Sequence, residues 1–172
     1  RKIYADLENL GRELLGWIQS QAPAEVAESL SMPLDEMMEG SDQSLLRILH
    51  YPPVEAAEPG AIRAAAHEDI NLITLLLSGS KPGLQAMDKA GYWHDVACDP
   101  GMITINNGDM LAMATGDHFP STTHRVTNPD AGQNVSRYSM PMFLHPRPDV
   151  PLRPGMSADD YLQQRLREIG LK

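Results

Sequence analysis

Cysteine is almost missing from this chain. Cys98 is the single one in 172 residues, which excludes an intrachain disulfide and a thiolate metal cage and favours a reducing, cytoplasmic setting. Long apolar runs are also missing. Nothing approaches the ~20 residues of a membrane span, which speaks against a membrane partner, and no signal peptide is visible. The chain opens on Arg1 rather than Met, so targeting stays open. Basic charge is scarce, with 14 Lys and Arg against 23 Asp and Glu and a formal net charge of −9. That balance argues against a nucleic-acid backbone as partner. Residues 1–60 alone hold 11 acids and 4 bases, which reads as a solvated acidic face. Repeats and low-complexity tracts are absent too. Charged residues at 22% and hydrophobic residues at 42% fit a single globular unit long enough to bury a core. None of this fixes an oligomeric state.

In IYADLENLGRELLGWIQ (3–19), Ile3, Leu7, Leu10, Leu14 and Ile18 recur at helical spacing and Pro23 closes the segment. SMPLDEMME (31–39) predicts a short second helix capped by Ser31, with Met37 and Met38 as core filler. From residue 44 the texture changes to short runs: LLRILHY, AIRAAAHEDINLITLLL, LQAMDKAGYWHDVA, MITINNGDMLAMA, STTHRVT and SRYSMPMFLH. Breakers such as YPP, EPGA, SGSKPG, CDPG, NNGD and NPDAGQ separate them, a pattern of closely spaced strands that suggests a sandwich or barrel. A last helix is expected over 158–169, with Ser157 as cap, Asp159 and Asp160 at its positive end, and Gly170 as stop.

AAAHEDINLITLLL (64–77) sets His67, Glu68 and Asp69 inside an apolar stretch, a costly placement unless something compensates. Residues i and i+2 of a strand share a face, so His67 and Asp69 would point together into a barrel while Glu68 turns away. A cation there needs a third ligand, from His50, His94, His118, His124 or His145. His124 stands out because STTHRVT reads as a strand. Two His and one carboxylate on one face of an ion leave about three of six positions open. An H-x-D pair alone is common in a chain with six His and 23 acids. Downstream, SRYS puts Arg137 and Ser139 at i, i+2 on one face, a guanidinium fork and a hydroxyl suited to a carboxylate. The remaining candidates read as structure. His94 turns outward beside a packed Trp93, His118 lies on a hairpin, and Arg125 pairs with an acid away from His124. Asp109 is a turn residue, and Met140 and Met142 are core.

With these blocks in order, from RILHYPP to SRYSMPMFLHPRPD, the chain resembles the iron- and 2-oxoglutarate-dependent dioxygenases of the isopenicillin N synthase-like superfamily, its bacterial branch being the closer match. The resemblance is strong over residues 44–150. It implies a mainly β fold, a double-stranded β-helix (jelly-roll) core at 44–150, a helical N-terminal segment at 1–43 packed on the barrel and a C-terminal helix within 151–172. It also implies Fe(II) ligation by His67, Asp69 and His124, and 2-oxoglutarate binding by Arg137, Ser139 and Tyr51. The expected activity is oxidation of a small organic substrate by O2, whether hydroxylation, desaturation or cyclisation, with release of succinate and CO2. Two other readings stand beside it: a 2-oxoglutarate-independent oxidase of the isopenicillin N synthase type, and a jelly-roll binding protein without turnover.

Four departures are visible. Leu49 stands where an Asn is frequent, which removes one accessory hydrogen bond to the co-substrate. Asn71 replaces a small residue or Gly, and is expected to tolerate a left-handed turn. The loop holding NPDAGQN is long and reads as a surface excursion. The family's N-terminal region, which helps cover the substrate pocket, is not present in this sequence, and the pocket is expected to be open on one side.

Overall fold

The computed structural model describes residues 1–53, 61–129 and 134–171. The breaker EPGA and the middle of NPDAGQN fall largely or partly outside them. Helix α1 (Lys2–Ser20) is followed by α2 (Ala24–Ser29) and a 3-10 turn (Glu36–Met38). The strands are β1 (Leu45–Leu46), β2 (Leu49–Tyr51), β3 (Ala64–His67), β4 (Ile73–Leu77), β5 (Leu84–Met87), β6 (Trp93–Asp95) and β7 (Ile103–Asn107). After helix α3 (Asp109–Ala114) come β8 (His124–Val126), β9 (Arg137–Leu144), β10 (Pro151–Arg153), β11 (Met156–Ser157) and helix α4 (Ala158–Glu168).

Two antiparallel sheets face each other as a jelly roll. In one, β9 is flanked by β4 and β7 on one side and by β1 and β2 on the other; in the second the order is β3-β8-β5-β6. The alternation of β9 explains its central place. Arg137, Ser139, Pro141 and Phe143 turn to the space between the sheets, while Met142 and Leu144 are fully buried on the helix side with Leu72, Ile73 and Leu75.

The helices complete that second layer. On α1 the buried line is Leu7, Gly11 and Leu15, four residues apart and so on one face. Leu10, Leu14 and Ile18 flank it and Ile3 is exposed, so the centre of the stripe lies one position away from the expected one. Gly11 sets the approach distance, because a Cβ there would collide with Leu144 Cδ1.

The second helix is not where SMPLDEMME suggested. The helical turn forms earlier, at α2, and 36–38 closes only a 3-10 turn. Ser31 does not cap a helix; its hydroxyl donates to the Pro151 carbonyl at 2.6 Å. Met37 and Met38 are buried as expected. MITINNGDMLAMA also divides: β7 ends at Asn107 and GDMLAMA becomes helix α3. His118 follows that helix and lies on no hairpin. Helix α4 has the capping box foreseen from Ser157, with Asp160 as its partner. It ends at Gly170 (φ +76°) in a Schellman arrangement, Leu171 N–H donating to the Leu166 carbonyl. No helix among the described residues is long and apolar enough to cross a membrane.

Candidate metal centre and cavity

His67 and His124 face each other across β3 and β8, where they are register partners, with ring centroids 4.4 Å apart. Asp69 joins them by a different route from the expected one. β3 ends at His67, and Asp69 belongs to the turn before β4. The turn is held by α3: Asp109 N–H donates to the Asp69 carbonyl at 2.8 Å and Gly108 N–H to Leu72 at 2.9 Å. Gly108 is required there, since a Cβ would overlap the Asn71 carbonyl and lie 2.8 Å from that of Asp69.

One donor atom from each of the three residues lies within 4.8 Å of the others. Asp69 Oδ1 is 3.8 Å from His124 Nε2 and 4.0 Å from His67 Nε2. Each ring is oriented by its other nitrogen: Nδ1 of His67 is 2.7 Å from the Ala65 carbonyl, and Nδ1 of His124 is 2.9 Å from that of Thr122. A carbonyl only accepts, so both Nδ1 atoms carry the proton and both Nε2 lone pairs face the gap. The carboxylate is divided in the same way. Asp69 Oδ2 accepts from Thr74 Oγ1 at 2.6 Å and from Asn106 Nδ2 at 3.0 Å, leaving Oδ1 for the gap. This donor set suits a hard or borderline divalent ion with N and O ligands.

Asn71 is fully buried and is not in the left-handed region, where Asp117 is the one non-glycine residue among those described. Its amide instead donates to the Ile73 carbonyl at 2.8 Å and to Thr74 Oγ1 at 3.0 Å, bracing the hydroxyl that holds Asp69. Thr74 and Asn106 were not singled out from the sequence. The signal was there as polar residues within apolar strands, at positions facing the same way as Leu76 and Thr104.

The triad opens into a cavity of about 350 Å³ between the sheets, whose exposed lining is mostly apolar. At its far end lies Arg137, 2% exposed. Its Nε donates to the Lys81 carbonyl at 3.1 Å, while Nη1 is buried with no hydrogen-bond partner among the described residues. Burial pulls its pKa below the ordinary arginine value. Tyr51 pairs with Arg137 in register, its ring 5.4 Å from the guanidinium carbon, and Leu49 pairs with Ser139. Arg47 lines the other end beside Phe143, 6.0 Å from its ring centre. Among the described residues it forms no ion pair.

The other histidines lie elsewhere. His94 meets Asp88 at 2.6 Å on the β5–β6 hairpin, and His145 is held neutral by burial, its pKa lowered to about 4. Arg125 turns from the triad as expected, but its partners are an amide and a ring: Nε donates to Gln85 Oε1 at 2.8 Å and the guanidinium covers Trp93 at 4.1 Å. Met142 is core, as expected. Asp109 is no turn residue; it opens α3 and accepts from Ser121 and Tyr161.

Comparison with known proteins agrees with this geometry. A family profile described as the 2OG-Fe(II) oxygenase superfamily matches residues 42–146. A 2-oxoglutarate-dependent dioxygenase of Monascus ruber is 38% identical over 125 residues, which are 70% of this chain and 37% of that protein. A flavonol synthase/flavanone 3-hydroxylase of Eustoma exaltatum is 33% identical over 64% of this chain and 31% of its own. The chain thus spans about a third of the length of these curated relatives. Among solved structures, a Shewanella oneidensis protein provisionally described as an oxygenase superposes with TM-score 0.89 at 51% identity, over 99% of this chain and 63% of that one. A full-length Neurospora crassa protein in complex with alpha-KG and thymine superposes with TM-score 0.79 at 28% identity, over 98% of this chain and 55% of that one.

Proposed function

The chain belongs to the 2OG-Fe(II) oxygenase superfamily, and from that premise we propose that it is the catalytic core of an Fe(II)- and 2-oxoglutarate-dependent dioxygenase acting on a small organic molecule. His67, Asp69 and His124 hold Fe(II) in this reading. One observation carries it: a three-donor cluster and a buried guanidinium, whose Nη1 has no hydrogen-bond partner and which forms no ion pair among the described residues, share a single cavity. A buried charge without a partner is costly, and a dicarboxylate reaching from the ion to Arg137 would relieve that cost. Ferrous iron so bound would supply the redox centre at which one atom of O2 enters succinate as 2-oxoglutarate loses CO2 and the other oxidises the substrate.

The protein's own part is positional. Thr74 and Asn106 fix Asp69 so that one oxygen donates. The Ala65 and Thr122 carbonyls fix the two imidazoles. Arg137 and Ser139 hold the far carboxylate of the co-substrate, and Tyr51 flanks it on the neighbouring strand. Leu76, Leu84, Val96 and Val126 keep the channel between them dry, which strengthens each polar contact inside it.

Strand register supports a division of the cavity. Thr74, which grips Asp69, pairs with Phe143, six residues along β9 from Arg137. The co-substrate fills the Arg137 half, and the substrate enters beside Phe143. There Arg47 offers a cation to an anionic group on an otherwise apolar substrate. We assign the protein to the cytoplasm on its single cysteine. The test is anaerobic titration with 2-oxoglutarate in the presence and absence of Fe(II), followed by succinate release on admitting air. Binding that depends on the triad, together with succinate production, is expected. Metal binding with no consumption of oxygen would reject the enzyme reading in favour of a binding protein.

A further inference from the structure

Beyond the residues lining the cavity, Asp109 occupies a position that the ligand roles do not explain. Its backbone bonds one ligand residue of the triad, and its carboxylate bonds the segment that leads to another. The Asp109 N–H donates to the Asp69 carbonyl at 2.8 Å. Asp109 Oδ1 accepts from Ser121 Oγ at 2.6 Å, and Ser121 precedes Thr122, whose carbonyl orients His124. Asp109 Oδ2 accepts from Tyr161 OH at 2.7 Å and lies 3.6 Å from Arg165 Nε. Tyr161 and Arg165 both belong to α4, far along the chain. Asp109 therefore ties the Asp69 turn through its backbone, and the segment leading to His124 and the C-terminal helix through its carboxylate.

The surroundings argue that this is more than general packing. The Asp109 side chain is only 11% exposed, and together with Glu68 it lines a second cavity of about 590 Å³ that includes none of the three triad residues. A carboxylate beside open space gains nothing from shape fit. What it gains is two hydrogen-bond donors, Ser121 and Tyr161, and the Arg165 cation beside them, from two separate segments that thereby lose their freedom to move relative to each other. Ser121, Thr122 and Thr123 are fixed besides by Thr122 N–H on the Asn107 carbonyl at 3.1 Å and by Thr123 Oγ1 on Glu68 at 2.7 Å. The Asp109 bond closes this girdle on its third side.

We propose that Asp109 is a positioning residue for the metal centre and that α4 acts through it, with Tyr161 and Arg165 setting the carboxylate that spaces Asp69 from His124. The inference rests on the reading of the triad as a metal site. Groups bonded directly to a metal ligand typically contribute about 10–100-fold to metal affinity, and the Asp109 carboxylate acts one step further out, through Ser121. The test is titration of the intact chain with Co(II), read by its visible absorption, on Asp109→Asn, Tyr161→Phe and Ser121→Ala. Leu152→Ala, a cavity-making change in the shared core, serves as a comparison of equal thermal destabilisation. Asp109→Asn is expected to weaken Co(II) by up to about tenfold, the low end of that range, and to shift its absorption bands. Tyr161→Phe and Ser121→Ala should weaken it less, in the same direction, while Leu152→Ala lowers Tm with affinity and bands unchanged. Unaltered Co(II) affinity and spectrum in Asp109→Asn and Tyr161→Phe, or equal losses in Leu152→Ala, would overturn the positioning role alone. A wild-type chain that takes up no Co(II) would overturn the metal reading and this inference together.

Discussion

Asp69 illustrates how much of this site depends on single polar atoms. One carboxylate oxygen is occupied by Thr74 and Asn106, and the other is left to the gap between the two imidazoles. Thr74→Val removes the shorter of those bonds at constant size, and is expected to reduce metal affinity about tenfold. Calorimetric titration with Mn(II) measures it. Arg137→Ala should weaken 2-oxoglutarate binding by about 1.5–3 kcal/mol, the range for charge-assisted bonds; unchanged affinity would remove Arg137 from its proposed role. The ligand candidates and the Arg137/Ser139 pair were legible in the sequence because chemistry and alternation point the same way in short strands. Thr74, Asn106 and Asn71 were not. A buried hydroxyl or amide in a strand looks like any tolerated polar residue until its partner, distant in the chain, is known. The route of Asp69 was missed because an i, i+2 argument assumes that the strand continues, and here it stops at His67.

At the scale of elements, α1 offers a paired test. Glycine in a helix interior normally costs about 0.8–1 kcal/mol relative to alanine. At Gly16 nothing lies within 4 Å of an added Cβ, so Gly16→Ala should raise stability by about that much in thermal or urea unfolding. At Gly11 the same change drives into Leu144, itself fully buried. Overpacking costs about 1–3 kcal/mol, which exceeds the propensity gain, and Gly11→Ala should lower Tm. The long helices α1 and α4 were readable from period and caps. The short ones were not: α2 and α3 have six residues each, too few turns for a period to emerge, and α3 forms because its first N–H groups find the carbonyls of 69–72. Isolated helices of that length do not persist in water; the tertiary contact decides.

For the whole molecule, acid should act through His145. Its folded pKa of about 4 lies below the unfolded value of 6.5, so the unfolded chain binds the extra proton first. The contribution is fully present above about pH 6.5 and is lost as pH falls toward 4. The loss is about 3 kcal/mol at most, and His145→Gln should flatten that limb of the stability profile in metal-free protein. Metal should act in the opposite sense: at about 100 times its Kd a bound ion raises stability by about 2.7 kcal/mol, a gain that His124→Ala abolishes.

Exposure across the triad is uneven, with His67 at 47%, His124 at 14% and Asp69 at 7%. A bound ion would therefore be shielded on two flanks and open on one. Chelators would strip it by way of the His67 imidazole, and the speed of demetallation should depend on whatever comes to cover that flank.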